Sequence, residues 1–158
     1  MLKRLILVLT LAITLISGAT AFAESREIVV EIDGAVVEFD VKPQIINDRT
    51  MVPMRKIFES LGAKVEWVPE MERVIATYGT SVINMKINDN VFTVTDVLLE
   101  DIKEVELDVP AQIVEEDGIG RTLVPVRAVS EALGKKVDWD GENLKVIITS
   151  NEAGEEDA

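Results

Sequence analysis

No cysteine and no histidine occur anywhere in the 158 residues. Their absence removes the usual ligands for zinc and copper and most pairings of a nucleophile with a base. Catalytic, cofactor and metal sites are therefore expected to be none. Without cysteine the N-terminus carries no thioether-linked lipid, and the fold must stand without disulfides. Aromatic residues are few, with four Phe, two Trp and one Tyr, too few to line a deep cleft of the kind many hydrolases use. Cations are also scarce: 16 Lys and Arg face 29 Asp and Glu, for a net charge of -13. A field of that sign repels nucleic acid and anionic lipid headgroups and favours cations or basic partners, so no nucleic-acid partner is expected.

What the chain does have is a stretch that occurs twice. Residues 49–77 and 121–149, 72 positions apart, are identical at 15 of 29 places without a gap. A repeat at this spacing governs the rest of the interpretation. Pro53 and Pro125 sit where a first-turn proline is tolerated, since its missing N–H would be unpaired there, and each marks a helix start. Met54, Ile57, Phe58 and Leu61 fall on one helical face, and Val126, Val129 and Leu133 repeat most of that stripe. Gly62 and Gly134 follow as C-terminal caps able to take positive φ. Helices of about two and a half turns do not persist alone, so each needs a sheet, predicted from 64–67 with 73–77 and from 136–139 with 144–149. Pro69-Glu70 and Asp140-Gly141 punctuate the turns.

The doubled R-T-x-V-P-x-R, followed by a helix ending in L-G, a V-[ED]-W strand and a V-I-x-T strand, resembles the family named after the N-terminal domain of copper amine oxidases, the stalk domain. The resemblance covers about residues 28–149. It implies an extracytoplasmic, non-catalytic module with an antiparallel sheet packed on a helix, of a type common in secreted Gram-positive envelope proteins. In the amine oxidases the copper and the quinone belong to another domain, and no residue of that site has a counterpart here.

At the N-terminus Lys3 and Arg4 precede an apolar run over residues 5–16, and Ala21-Phe22-Ala23 offers a small-x-small cleavage site. The run is short of the ~20 residues that span a bilayer. Residues 1–23 are expected to be a signal peptide, leaving a secreted or extracytoplasmic, envelope-associated chain with no stable membrane insertion. Cleavage removes two cations and no acids, so the charge moves from -13 to -15 over the remaining 135 residues. Ile28, Val30 and Ile32 alternate before Asp33-Gly34, and Val37 and Phe39 follow, which predicts a hairpin. The expected division is repeat one at about 28–80, repeat two at about 81–149, and an acidic disordered tail at 150–158. Residues 96–106 have no match in the first copy, and 115–120 replace the Asn47-Asp48 turn; both are expected as surface insertions. The fold class predicted is α+β, antiparallel sheets each packed on a short helix, in two pseudo-symmetric repeats.

Four residues are candidates for ligand or partner contact. Arg55 and Arg127 lie near the helix starts, each with a glutamate four residues on, Glu59 and Glu131. They suit an intrahelical pair, an arginine folded across a sheet edge, or an anion contact. Trp67 and Trp139 end the repeat strands and suit core or sheet packing first, sugar stacking second. Arg49 and Arg121 are expected as struts. Residues 138–143 gather oxygen ligands but lack the spacing of an EF-hand. The expected partner is a cell-wall polymer, an envelope protein or a second copy of the chain. The alternatives are a small secreted carboxylate-based hydrolase and an acidic calcium-associating surface protein.

Overall fold

The computed structural model describes residues 27–150. The expected signal peptide and nearly all of the expected tail lie outside them. Among the described residues, β1 (Val29–Ile32) and β2 (Ala35–Val36) form the first hairpin. β3 (Gln44–Ile46) and β4 (Arg49–Pro53) form the second, and α1 (Met54–Ser60) follows. β5 (Lys64–Val68), β6 (Arg73–Tyr78), β7 (Ser81–Lys86), β8 (Val91–Asp96) and β9 (Asp101–Glu106) run as a meander. β10 (Gln112–Glu116), β11 (Ile119–Pro125), α2 (Val126–Ala132), β12 (Lys135–Asp140) and β13 (Lys145–Ser150) complete the chain.

The strands make three sheets, in the orders β12-β13-β1-β2, β10-β11-β4-β3 and β5-β6-β7-β8-β9. All pairings are antiparallel except β1 with β13, which run parallel from Val29 opposite Lys145 to Ile32 opposite Ile148. That parallel pair departs from the all-antiparallel expectation. It arises because the first strand docks beside the last hairpin, so segments from both sides of residue 80 share a sheet. In the central sheet β4 meets β11 with Val52 opposite Val124, Pro53 opposite Leu123 and Met51 opposite Pro125.

Alternation along β4 and β11 sends their side chains into two cores. Val52 and Val124 join the larger cluster with Ile57, Phe58, Val129, Phe92 and Ile148. Met51 and Leu123 turn the other way and close on Val41 and Val109. α1 packs against β5 and β11, and α2 against β12 and β4. Each helix has seven residues, about two turns, and each proline occupies the N-cap rather than the first helical position. The chain reverses at Gly62, φ +91, where Gly62 N–H donates to Glu59 O and Ala63 N–H to Phe58 O, a Schellman closure that needs positive φ.

Both insertions build hairpin structure, and residues 97–100 are the turn of the first. Residues 101–106 form β9, a fifth strand paired with β8 from Asp96–Asp101 to Val91–Glu106. Residues 115–120 lengthen the β10–β11 hairpin around Asp117 and Gly118, both at positive φ. A two-residue turn whose residues both have positive φ matches strand twist, and Asn47 and Asp48 do the same between β3 and β4. Lys135 Nζ ties the meander to the terminal sheet by donating to Tyr78 Oη and Ser150 Oγ, both at 3.2 Å.

Candidate functional site

Two arginines brace the central sheet. Arg121 donates from Nε to Asp40 Oδ2 at 2.8 Å and from Nη1 to Gly120 O at 2.9 Å. Arg49 donates from Nε to Asp108 Oδ2 at 2.8 Å and from Nη1 to Asp48 O at 3.1 Å. In both cases Nη2 meets the same carboxylate oxygen. The planar guanidinium thus holds a distant loop to its strand end, the strut role expected of these residues. The Arg121 hydrogen bond keeps the Asp40 carboxyl below its ordinary pKa.

Beside each strut lies a cleft. The first, about 720 Å³, is walled by Pro53, Met54, Arg55, Lys56 and Glu59 at α1, by Trp67 of β5, and by Ile113, Arg121 and Thr122 of β10 and β11. The second, about 560 Å³, is walled by Pro125, Val126 and Arg127 at α2, by Val137 and Trp139 of β12, and by Ile45, Arg49 and Thr50 of β3 and β4. Arg55 and Trp67 therefore meet in one cleft, and Arg127 and Trp139 in the other.

The four candidates are not held alike. Arg127 Nη1 donates to Glu131 Oε1 at 3.2 Å and to Val137 O at 2.8 Å, combining the intrahelical pair with the strand carbonyl. Among the described residues Arg55 has only the looser approach to Glu59, at 3.9 Å. Trp67 is half-buried against the larger core. Trp139 is 41% exposed and stands outside the core, one of the two packing settings expected of it. The difference lies in the neighbours: Asn88 N–H donates to Ala111 O, fastening the β7–β8 turn to the start of β10. Ile87, Asn88 and Gln112 thereby come up beside Trp67. Trp139, on an edge strand as Trp67 is, has its indole Nε1 against Gly141 instead.

Ile45 and Ile113, 54% and 61% exposed, are cleft residues that the sequence did not single out. Each has a second apolar residue beside it, Ile46 or Val114, so the sequence does not say which of the two faces outward. The acidic partners Asp40 and Asp108 were likewise missed, since they lie 81 and 59 residues from their arginines. The turn at 138–143 is spoken for: Asp140 Oδ1 accepts from the Glu142 and Asn143 N–H groups, and Oδ2 from Asn143 Nδ2. The Asn143 side-chain amide, then its backbone N–H, pulls the Asp140 pKa down. Among the described residues no three acidic side chains gather as a metal site.

Charge within the clefts is close to balanced. The first sets Arg55, Lys56 and Arg121 against Glu38, Asp40 and Glu59. The second sets Arg49 and Arg127 against Asp48, Asp108 and Asp138. An indole face beside adjoining donors and acceptors suits a ligand rich in hydroxyl groups. Residues 31–148 match the family described as the copper amine oxidase N-terminal domain. No curated protein and no solved structure matches the chain. Despite the copper in that description, a chain with neither histidine nor cysteine does not fit a copper centre.

Proposed function

We propose, because the chain belongs to the copper amine oxidase N-terminal domain family, that it is an exported, non-catalytic binding module of the cell envelope whose two clefts hold a hydroxyl-rich wall polymer. The type domain in the amine oxidases is non-catalytic. The observation that carries the reading is the pairing of Arg55 with Trp67 and of Arg127 with Trp139 in clefts of like composition. Export is supported by Lys3, Arg4 and the apolar run behind them. A neutral glycan is favoured over an anionic one, because the net charge of -13 opposes the approach of polyanions.

The chain is further proposed to be a tandem duplication. Its support is the identity of residues 49–77 with 121–149 at 15 of 29 places, and the reciprocal struts Arg49–Asp108 and Arg121–Asp40. Val52 opposite Val124 adds to it. The functional reading is tested by co-sedimenting residues 24–158 with purified cell wall. Trp67→Ala and Trp139→Ala should each weaken retention roughly tenfold, about 1.4 kcal/mol, and Arg55→Ala should weaken it less. Absence of retention, together with turnover of a glycan or peptide substrate, would replace this reading with the hydrolase.

A further inference from the structure

The β8–β9 hairpin carries a surface with no role in the clefts' proposed chemistry. Val97, Leu98, Leu99 and Ile102 are 55%, 76%, 76% and 66% exposed, the densest run of exposed apolar side chains among the described residues. The tip that holds them is built rather than loose. Asp96 Oδ1 accepts from the Leu98 and Leu99 N–H groups at 2.9 and 3.1 Å, and Oδ2 accepts from the Thr80 hydroxyl at 3.1 Å. β9 is also the outer strand of the five-stranded sheet. Leu107 N–H donates to Asn90 O. By antiparallel alternation, Val105, Lys103 and Asp101 spend their backbone groups on β8, and Ile102, Glu104 and Glu106 turn theirs to the open edge.

We propose that this edge pairs with the same edge of a second copy of the chain, β9 antiparallel to β9, with Ile102 opposite the second copy's Ile102. Charge selects the register. Centred on Ile102, the two strands bring Asp101 opposite the second copy's Lys103, and Lys103 opposite its Asp101. These are non-hydrogen-bonded positions, where facing side chains come closest. Centring on Lys103 or on Glu104 sets a like charge against itself. The chosen register has one unfavourable pairing, which the two-fold repeats: Glu104 opposite the second copy's Glu100, and Glu100 opposite its Glu104, where the chain is already in the turn. It also carries Leu98 and Leu99 toward Val105 of the second copy, covering the exposed patch. Glu100, Asp101, Glu104 and Glu106 beside the leucines argue against an anionic lipid surface as the occupant.

The register sets only residues 101–103 of each β9 strand against strand, with the two hairpin tips beyond them, so the contact falls at or below the small end of specific interfaces and association is expected at roughly hundreds of micromolar. Sedimentation velocity of residues 24–158 over that range should show a monomer–dimer equilibrium. Lys103→Glu should raise the dissociation constant at least tenfold, Ile102→Lys should abolish dimerisation, and the swap Asp101→Lys with Lys103→Glu should restore it. Circular dichroism melts of each variant confirm that the monomer is folded. A monomer throughout, dimerisation indifferent to Lys103→Glu, or a swap that does not restore it would overturn the proposal.

Discussion

Ser130 sits in α2 where α1, 72 residues earlier, has Phe58. Both are fully buried. Phe58 fills its place with hydrocarbon, whereas the Ser130 hydroxyl has no hydrogen-bond partner among the described residues. Burying a hydroxyl without a partner costs about 1–3 kcal/mol. Replacing it with alanine removes one oxygen, leaves the methylene contacts, and adds the better helix propensity, worth a few tenths of a kcal/mol. Ser130→Ala should therefore stabilise the fold by about 1.5 kcal/mol. For the 124 residues from 27 to 150, an unfolding entropy of about 2.1 cal/mol/K per residue gives ~0.26 kcal/mol/K, so the melting temperature should rise by roughly 6 °C. The control is Ser60→Ala, at an exposed position of α1, where only propensity acts and the rise should stay under about 2 °C. Calorimetry at pH 7, checked by urea midpoints at unchanged slope, reads both. If Ser130→Ala melts at or below the parent, the hydroxyl is satisfied, as by bonding back to the Val126 carbonyl, and the account of this helix seat fails.

Val52→Ala and Val124→Ala, at facing and fully buried positions, should each cost about 2–3 kcal/mol in urea unfolding. The double variant should fall short of the sum because the two share one cavity. A double-mutant cycle on Arg49 and Asp108 should give a coupling of about 0.5–1 kcal/mol, shrinking in 1 M salt because both side chains are about half exposed or more. Acid should destabilise the fold through Asp33, Asp40, Asp96 and Asp140. Their carboxyl pKa values are lowered mainly by the Ser150 N–H, Arg121, the Leu99 N–H and the Asn143 amide respectively. A lowered folded pKa gives stability that is complete above the ordinary value of 3.8 and lost as pH falls below it. Melting temperature should thus hold from pH 7 to about 5 and then fall, with Asp33→Asn flattening part of the fall.

Local chemistry was legible. Proline before an apolar stripe, glycine after it and Asp-Gly between β-branched runs located the helices and the hairpin turns, because each is decided by a few neighbouring dihedral angles, although β2 ends at Val36, short of the predicted Val37 and Phe39. Partnership at long range was not. Nothing in Val29–Ile32 announces a parallel neighbour more than a hundred residues away. V-E-W and V-D-W are nearly the same word, yet Trp67 is half-buried and Trp139 is 41% exposed, since the β7–β8 turn flanks Trp67 alone among the described residues. Residues 101–106 concealed a strand because Asp101 and Lys103 take the side facing α2 along with Val105, which spoils the alternation that normally marks a half-buried strand.

The same long-range exchange bears on why the motif is carried twice in one chain. Each cleft joins a helix and tryptophan from one copy of the motif to an arginine and threonine from the other: Arg55 and Trp67 with Arg121 and Thr122, and Arg127 and Trp139 with Arg49 and Thr50. A chain ending at residue 80 would keep α1 and Trp67 but lose the β11 strand on which α1 packs and the Arg121 strut that sets Asp40. It would also leave β1 without β13, exposing one side of Val30 to water. Burying that surface again needs a second copy of the missing strands. A single unit would have to borrow both, β4 in the place of β11 and β6 in the place of β13, from another molecule, at a concentration-dependent cost that covalent linkage removes. The two motifs are thus better understood as halves of two shared clefts than as two separate binding units in series.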